Sequence, residues 1–366
     1  MRIEKDALGE MPLPDGAYYG IQAFRSLSNF DVTDKTFNDY PAVVRALAEI
    51  KKACALANRD IGALGADKAG AIVRACDDIL KGRMEGQFPV NIWRGGGTSI
   101  NMNLNEVIAN RANELLTGHK GYEQVHPNTH VNMCQSSNDV YPTAENIVLY
   151  RETGRALEGV AALENSFARK SKEFGGVVRL GRTCLQDGVP MTLGQVFAGF
   201  HGVIRRSRER LETLREDFRV GVLGGTVIGT GLGVLPGYVE AVYPHLSAIV
   251  GFEMHLQDTP EGSPVSDAGL FDAMQNADGL LTLSGALKVL ACSAGKIAND
   301  FRLLSSGPRS GFGEIRLPAV APGSSIMPGK INPVMCDLVV QIMHQVAAND
   351  WAITMNASAS DLDLAS

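Results

Sequence analysis

The sequence lacks the long apolar run that a membrane-spanning helix or a secretory signal requires. No window approaches the roughly 18 uninterrupted apolar residues of a membrane span. The first stretch, MRIEKDALGEMPLPDG, carries charges and prolines where a signal peptide has its apolar core. These features predict a cytoplasmic protein with no membrane partner. With 45% hydrophobic and 20% charged residues, the composition is typical of a globular protein with a large core.

An excess of positive charge and a regular cysteine spacing are also missing. Lysine and arginine number 34 against 40 acidic residues, a net charge of −6, which argues against a nucleic-acid partner. The six cysteines form no C-x-x-C pair, which argues against a zinc knuckle and a disulfide framework. The histidines of HPNTH (126–130) are separated by Pro127 and Asn128, which makes a helical metal site improbable. No metal site is predicted.

Helical periodicity dominates what is present. Apolar residues recur at steps of three and four over 41–60, as in an amphipathic helix. Longer helical stretches follow at 144–174, about 190–220 and about 277–305, and another begins after Pro333. Signals for strands are few.

The wide helical faces rich in Ala, Gly and Ser allow close helix packing. We therefore predict a mainly all-α protein built on an elongated bundle of long helices over 141–366. A smaller, mainly helical N-terminal domain is expected over 1–140, with an irregular arm in its first forty residues. The bundle is expected to bury further faces against other subunits.

Three polar clusters stand in loops or turns just before predicted helices, at 95–107, 134–143 and 181–192. Helix N-termini offer free N–H groups and the positive end of the helix dipole, which suits a ligand that carries carboxylates. Helix capping alone is the alternative explanation for each cluster.

A fourth candidate is APGSSIMPGKINPV (321–334), here called the serine loop. Its prolines and glycines exclude a helix or a strand, and its glycines let backbone amides approach a ligand. Lys330 and Asn332 are suited to stabilising a developing dianion. The alternative is a surface loop with an incidental lysine. The glycine-rich segment LGGTVIGTGLG (223–233) does not complete a dinucleotide fingerprint after a strand, so a nucleotide site is disfavoured.

Four segments together resemble the conserved blocks of the aspartase/fumarase superfamily, in the same order. They are GSSIMPGKINP, TSINMNLNEV, QSSNDVYPT and GRTCLQDGVPMTLGQ, and the similarity runs from AYYG at residue 18 onward. The stretches GAYYGIQAFRSLSNF, QFPVNIWRGGGTSINMN and RLLSSGPRSG resemble the aspartate ammonia-lyase branch more than the fumarase branch.

This resemblance implies the reversible deamination of L-aspartate to fumarate and ammonia, without a cofactor. It also implies a homotetramer in which each active site combines residues of three subunits. Ser324 matches the general base that takes the C3 proton of the substrate. Lys330 and Asn332 match the groups that stabilise the aci-carboxylate, with main-chain amides near Ile326 and Met327. The matching substrate contacts are Thr98, Ser136, Ser137, Asn138 and Thr183, with Cys184 beside them.

The chain departs from the family pattern at two places. Cys184 stands where fumarases and some aspartases have histidine and other aspartases have glutamine. The sequence also ends within the expected last bundle helix, so the family's C-terminal region is expected to be absent. The alternatives are a class II fumarase, a related C–N lyase with another substrate, and a truncated, non-catalytic assembly protein. Retention of Ser324, Lys330 and Asn332 argues against the last.

Overall fold

The computed structural model describes residues 1–94, 96–259, 261–263 and 268–365. This part of the chain is mainly helical, which confirms the predicted fold class. The helices are α1 (Ile21–Asn29), α2 (Pro41–Asp60), α3 (Ala66–Leu80), α4 (Thr98–Thr117), α5 (Ser137–Glu173), α6 (Leu193–Glu216), α7 (Tyr238–Val250), α8 (Ala268–Gln275), α9 (Asp278–Leu304) and α10 (Val334–Ser358). The strands are β1 (Arg2–Asp6), β2 (Gly9–Leu13), β3 (Val178–Thr183), β4 (Gln186–Thr192), β5 (Val220–Gly221) and β6 (His255–Leu256).

The strands pair two by two. β1 with β2 and β3 with β4 form antiparallel hairpins, and β5 pairs with β6 in parallel. The chain divides into two compact units. The first comprises 1–151, 218–276 and 360–366, and the second comprises 152–217 and 277–359. The predicted boundary near residue 140 stays a prediction. The compact units divide the chain within α5, and 218–276 belong to the first unit.

The first unit has one large apolar core formed mainly by α2, α3, α4 and α7. The predicted helix at 41–60 is confirmed as α2, and Pro41 occupies its first position, where a missing N–H costs nothing. Helix α4 is buried on nearly all sides, including the asparagines at 101, 103, 105, 110 and 113. Asn103 Nδ2 donates to the Gln87 carbonyl and Asn110 Nδ2 to the Tyr18 carbonyl, so α4 holds neighbouring segments as well as packing in the core.

In the second unit, helices α6, α9 and the later part of α5 share an aromatic cluster. Phe167, Phe197 and Phe200 are buried together with Ile204 and Ile297. Helix α6 begins with a capping box, in which Thr192 accepts from the Gln195 amide and the Gln195 side chain accepts in return. Helix α10 packs along α9.

The long helices predicted from the periodicity are confirmed, with shifts at their ends. Helix α5 begins at Ser137, seven residues before the predicted start at Ala144, because Pro142 is accommodated within the helix instead of preceding it. Two expectations were wrong. The first forty residues contain a β-hairpin where an irregular arm was expected, and the 181–192 cluster belongs to a second hairpin instead of a loop or turn before a helix.

Although no apolar run is uninterrupted, α9 is, within the described part of the chain, long enough and on average apolar enough to cross a membrane, by length and composition alone. A core helix of a soluble protein passes the same test. In this chain 22% of its most apolar window is buried. Most of this apolar window is therefore not buried within the single chain.

Candidate active site

The cluster predicted at 134–143 forms a tight turn into α5, here called the Ser136 turn (residues 132–138). Asp139, fully buried, accepts hydrogen bonds from the backbone N–H groups of Ser136 at 2.9 Å, Gly224 at 3.3 Å and Thr226 at 3.0 Å. Burial raises the pKa of Asp139 to about 7, against the effect of these donors. The carboxyl group therefore ties the Ser136 turn to the glycine-rich segment at 223–233.

Asn138 makes a second link to that segment, since its Nδ2 donates to the Val227 carbonyl at 2.8 Å. The Oδ1 of the same amide is an acceptor. The glycine-rich segment thus supports the Ser136 turn through backbone groups.

A buried lysine supports the same turn from the other side. Lys51 Nζ donates to Asn132 Oδ1 at 2.9 Å and to Gln135 Oε1 at 2.8 Å. Burial lowers the pKa of Lys51 to about 8. Asn101 Nδ2 on α4 donates to Asn132 Oδ1 at 3.2 Å and to Ser137 Oγ at 3.0 Å. The hydroxyl of Ser137 is therefore oriented by a network that reaches into the core.

Thr98 is the first residue of α4 and is exposed. The start of α4 lies against the start of α5, because a side chain at Gly97 would come within 3.3 Å of Tyr141 Cβ. The structure thus brings Thr98 and the serines of the Ser136 turn to neighbouring helix starts. Most of the 95–107 cluster belongs to α4 itself instead of a preceding loop, and Gly95 lies outside the described residues.

Thr183 and Cys184 lie at the tip of the β3–β4 hairpin in the second unit. Cys184 and Leu185 form a two-residue turn with φ of +50° and +62°. Such turns usually contain glycine or asparagine, so these side chains hold a strained backbone. The thiol of Cys184 is exposed.

The serine loop has a closed neck. The Gly323 N–H donates to the Lys330 carbonyl at 2.8 Å, and Asn332 Nδ2 donates to the Gly323 carbonyl at 2.7 Å. Lys330 is exposed. Loops bridged in this way keep their shape without belonging to a helix or strand.

Ser324 follows the neck directly. Its Oγ accepts from the backbone N–H groups of Met327 at 3.0 Å and Ile326 at 3.3 Å. In this conformation those two amides therefore serve the serine oxygen instead of a substrate carboxylate, and Asn332 serves the loop neck.

The predicted site residues thus form three groups. Thr98 and the Ser136 turn belong to the first unit, and the hairpin tip and the serine loop belong to the second. Sequence reasoning missed Lys51 and Asp139. A lysine within the apolar stripe of α2 was the available signal for Lys51, whereas Asp139 stood inside a predicted cluster without an assigned role.

Comparison with known proteins places the chain in a family. A family model described as lyase matches residues 9–348. The chain belongs to this lyase family. It is 44% identical to an aspartate ammonia-lyase of a Bacillus species, over all of this chain and 76% of the relative.

Other relatives are named class II fumarate hydratase. The chain is 42% identical to a class II fumarate hydratase of Ralstonia nicotianae, over 99% of this chain and 77% of the relative. It is similar to the crystal structure of a fumarate lyase/delta crystallin from Brucella melitensis, with a TM-score of 0.93 and 46% identity. That match covers 99% of this chain and 77% of the other. Membership of the aspartase/fumarase superfamily and its helical fold are therefore established.

Proposed function

We propose that this lyase deaminates L-aspartate reversibly to fumarate and ammonia. Ser324 takes the C3 proton, the electrons of that bond pass into the adjacent carboxylate as an aci-carboxylate, and the C–N bond then breaks to release ammonia. The observation that carries the proposal is the pair of amide hydrogen bonds accepted by Ser324 Oγ.

A serine hydroxyl is a weak base at neutral pH, so its alkoxide needs stabilisation. Hydrogen bonds to the charged form of a group favour that form. Two fixed amide donors, from Ile326 and Met327, point at the oxygen that would carry the charge. Fixed donors act strongly where water is excluded. Closure of the serine loop over substrate would supply that exclusion.

Lys330 and Asn332 stabilise the aci-carboxylate that the proton transfer leaves on the substrate. The aci-carboxylate places two negative charges on one end of the substrate, and both side chains can donate to its oxygens. Asn332 would have to exchange its bond to Gly323 for one to substrate. Catalytic hydrogen bonds often form only in the substrate complex.

The remaining groups bind the substrate. Thr98 and the hydroxyls and amide of the Ser136 turn suit carboxylates and an ammonium group, and Thr183 and Cys184 complete the site. The support for their role is the preorganisation of Ser137 by Asn101 and of the turn by Lys51.

We propose a cytoplasmic homotetramer whose active sites each combine residues from three copies. Helix α10 supports the assembly, since it carries large apolar side chains that are exposed in the single chain. These are Met335, Leu338, Ile342, Trp351 and Met355. Large apolar side chains that are exposed in the single chain support burial of this helix against other copies.

The ultraviolet absorbance of fumarate tests the activity in parallel reactions with L-aspartate and with L-malate. Fumarate and ammonia in equal amounts from aspartate are expected. Fumarate from malate alone would assign a class II fumarase instead, a name that relatives at 42% identity carry. Failure with both substrates in an assembled tetramer would exclude both reactions and favour another C–N lyase or a non-catalytic role.

The variant Ser324→Ala tests the assigned base. We expect kcat to fall by about a thousandfold or more, since positioned acid–base groups contribute factors up to about 10⁴. The oligomeric state should not change, because the Ser324 hydroxyl bonds amides of its own loop. Ser325→Ala, next along the same loop, is the matched control and should retain activity. Turnover near the parent level in Ser324→Ala would refute the assignment.

A further inference from the structure

The β3–β4 hairpin carries two of the proposed substrate contacts but has little packing of its own. Val178, Leu185 and Val189 are 72%, 60% and 73% exposed. A two-stranded hairpin is marginally stable on its own in water. Its tip can bind a substrate in a defined position only if another element holds it.

Glu314 provides such a hold. Its Oε2 accepts from Arg179 Nε at 3.1 Å, and its Oε1 pairs with Nη1 of Arg182, so one carboxylate bridges two arginines of β3. The Glu314 side chain is only 22% exposed, which limits screening of these charges by water and salt. The guanidinium of Arg182 also lies 4.6 Å from the centre of the Phe312 ring.

The backbone around Glu314 is itself fixed to the end of α9. The Glu314 N–H donates to the Leu304 carbonyl at 2.9 Å, and the Ile315 N–H donates to the same oxygen at 3.3 Å. The Gly313 N–H donates to the Ser306 carbonyl at 2.8 Å. The carboxylate thus connects the exposed hairpin to a bundle helix.

We propose that Glu314 is a positioning residue that holds the Thr183–Cys184 turn in place for substrate binding. Arg182 directly precedes Thr183, so the ion pair acts one residue from the tip. This inference rests on the proposed function for its kinetic consequence, whereas the anchoring of the hairpin stands apart from any activity.

The variant Glu314→Gln removes the charge and nearly keeps the shape. Hydrogen exchange read by mass spectrometry should show faster exchange over 178–192, by about tenfold, because a neutral amide holds the two arginines less strongly than a carboxylate does. For the reaction, KM for aspartate should rise by about tenfold with a smaller change in kcat, because binding geometry is lost while the base is untouched.

Glu164→Gln is the matched control. Glu164 pairs with Arg208 at 2.6 Å in the same unit and is similarly shielded, but it does not contact the hairpin. Exchange over 178–192 and KM should stay within about twofold of the parent, as for substitutions away from special features. Arg182→Gln in the Glu314→Gln background should add little beyond the loss of the Phe312 contact, since the Arg182–Glu314 ion pair is already broken.

Parent-like exchange over 178–192 in Glu314→Gln would overturn the proposal. Faster exchange with unchanged KM would also overturn it, since the hairpin would then be anchored without positioning substrate. The exchange measurement needs no turnover. A parent chain that acts on neither aspartate nor malate would therefore refute the proposed function. The hydrogen-exchange result would still decide whether Glu314 holds the hairpin.

Discussion

Gly323 at the neck of the serine loop leaves no room for a side chain. A Cβ at this position would lie 2.6 Å from the Asn332 nitrogen, 2.7 Å from the Lys330 oxygen and 2.9 Å from Asn332 Cγ. Two of these are backbone atoms, which cannot turn away as a flexible side chain can. Gly323→Ala must therefore spread the neck and weaken the two hydrogen bonds that close it.

The consequence for stability should be small and that for turnover large. Each net hydrogen bond contributes about 1 kcal/mol, and the loop is exposed, so the free energy of unfolding should fall by no more than about 2 kcal/mol. Ser324 adjoins the neck, and a misplacement of about 1 Å can cost about a hundredfold in rate. We therefore expect kcat/KM to fall by about a hundredfold.

Steady-state rates of fumarate formation and urea unfolding curves would measure both effects. Gly70→Ala is the matched control, because a Cβ there meets nothing within 4 Å in helix α3. That variant should keep full activity and gain stability slightly. A Gly323→Ala enzyme within about threefold of the parent would refute the reasoning, since it would show that the neck geometry does not limit the reaction.

Two further predictions concern the folded state. Burial raises the pKa of Asp139 from 3.8 to about 7, so the folded chain keeps this proton where the unfolded chain has released it. The stability it contributes is therefore full below about pH 4 and is lost as pH rises to about 7, and Asp139→Asn should flatten that slope in urea unfolding across this range. Phe167→Ala opens a cavity in the aromatic cluster and should cost about 3–5 kcal/mol of unfolding free energy, whereas a cost below about 1 kcal/mol would contradict the packing.

Local patterns predicted the helices well because helical periodicity is a property of neighbouring residues. The apolar stripe of α2, the extent of α9 and the start of α10 follow from spacing alone. The β3–β4 hairpin gave no such signal. Its residues are largely exposed, and its turn uses Cys184 and Leu185 where glycine or asparagine would have marked a hairpin.

The fold class, the family resemblance and the residues of the serine loop can be predicted from the sequence alone, because these depend on composition and on residues close together in the chain. Only the folded structure shows what holds those residues in place. Asp139 accepts from the Gly224 N–H, Lys51 donates to Asn132, and Glu314 forms an ion pair with Arg179. Partners separated by 81 to 135 positions are joined only when the core packs, so no local spacing encodes them.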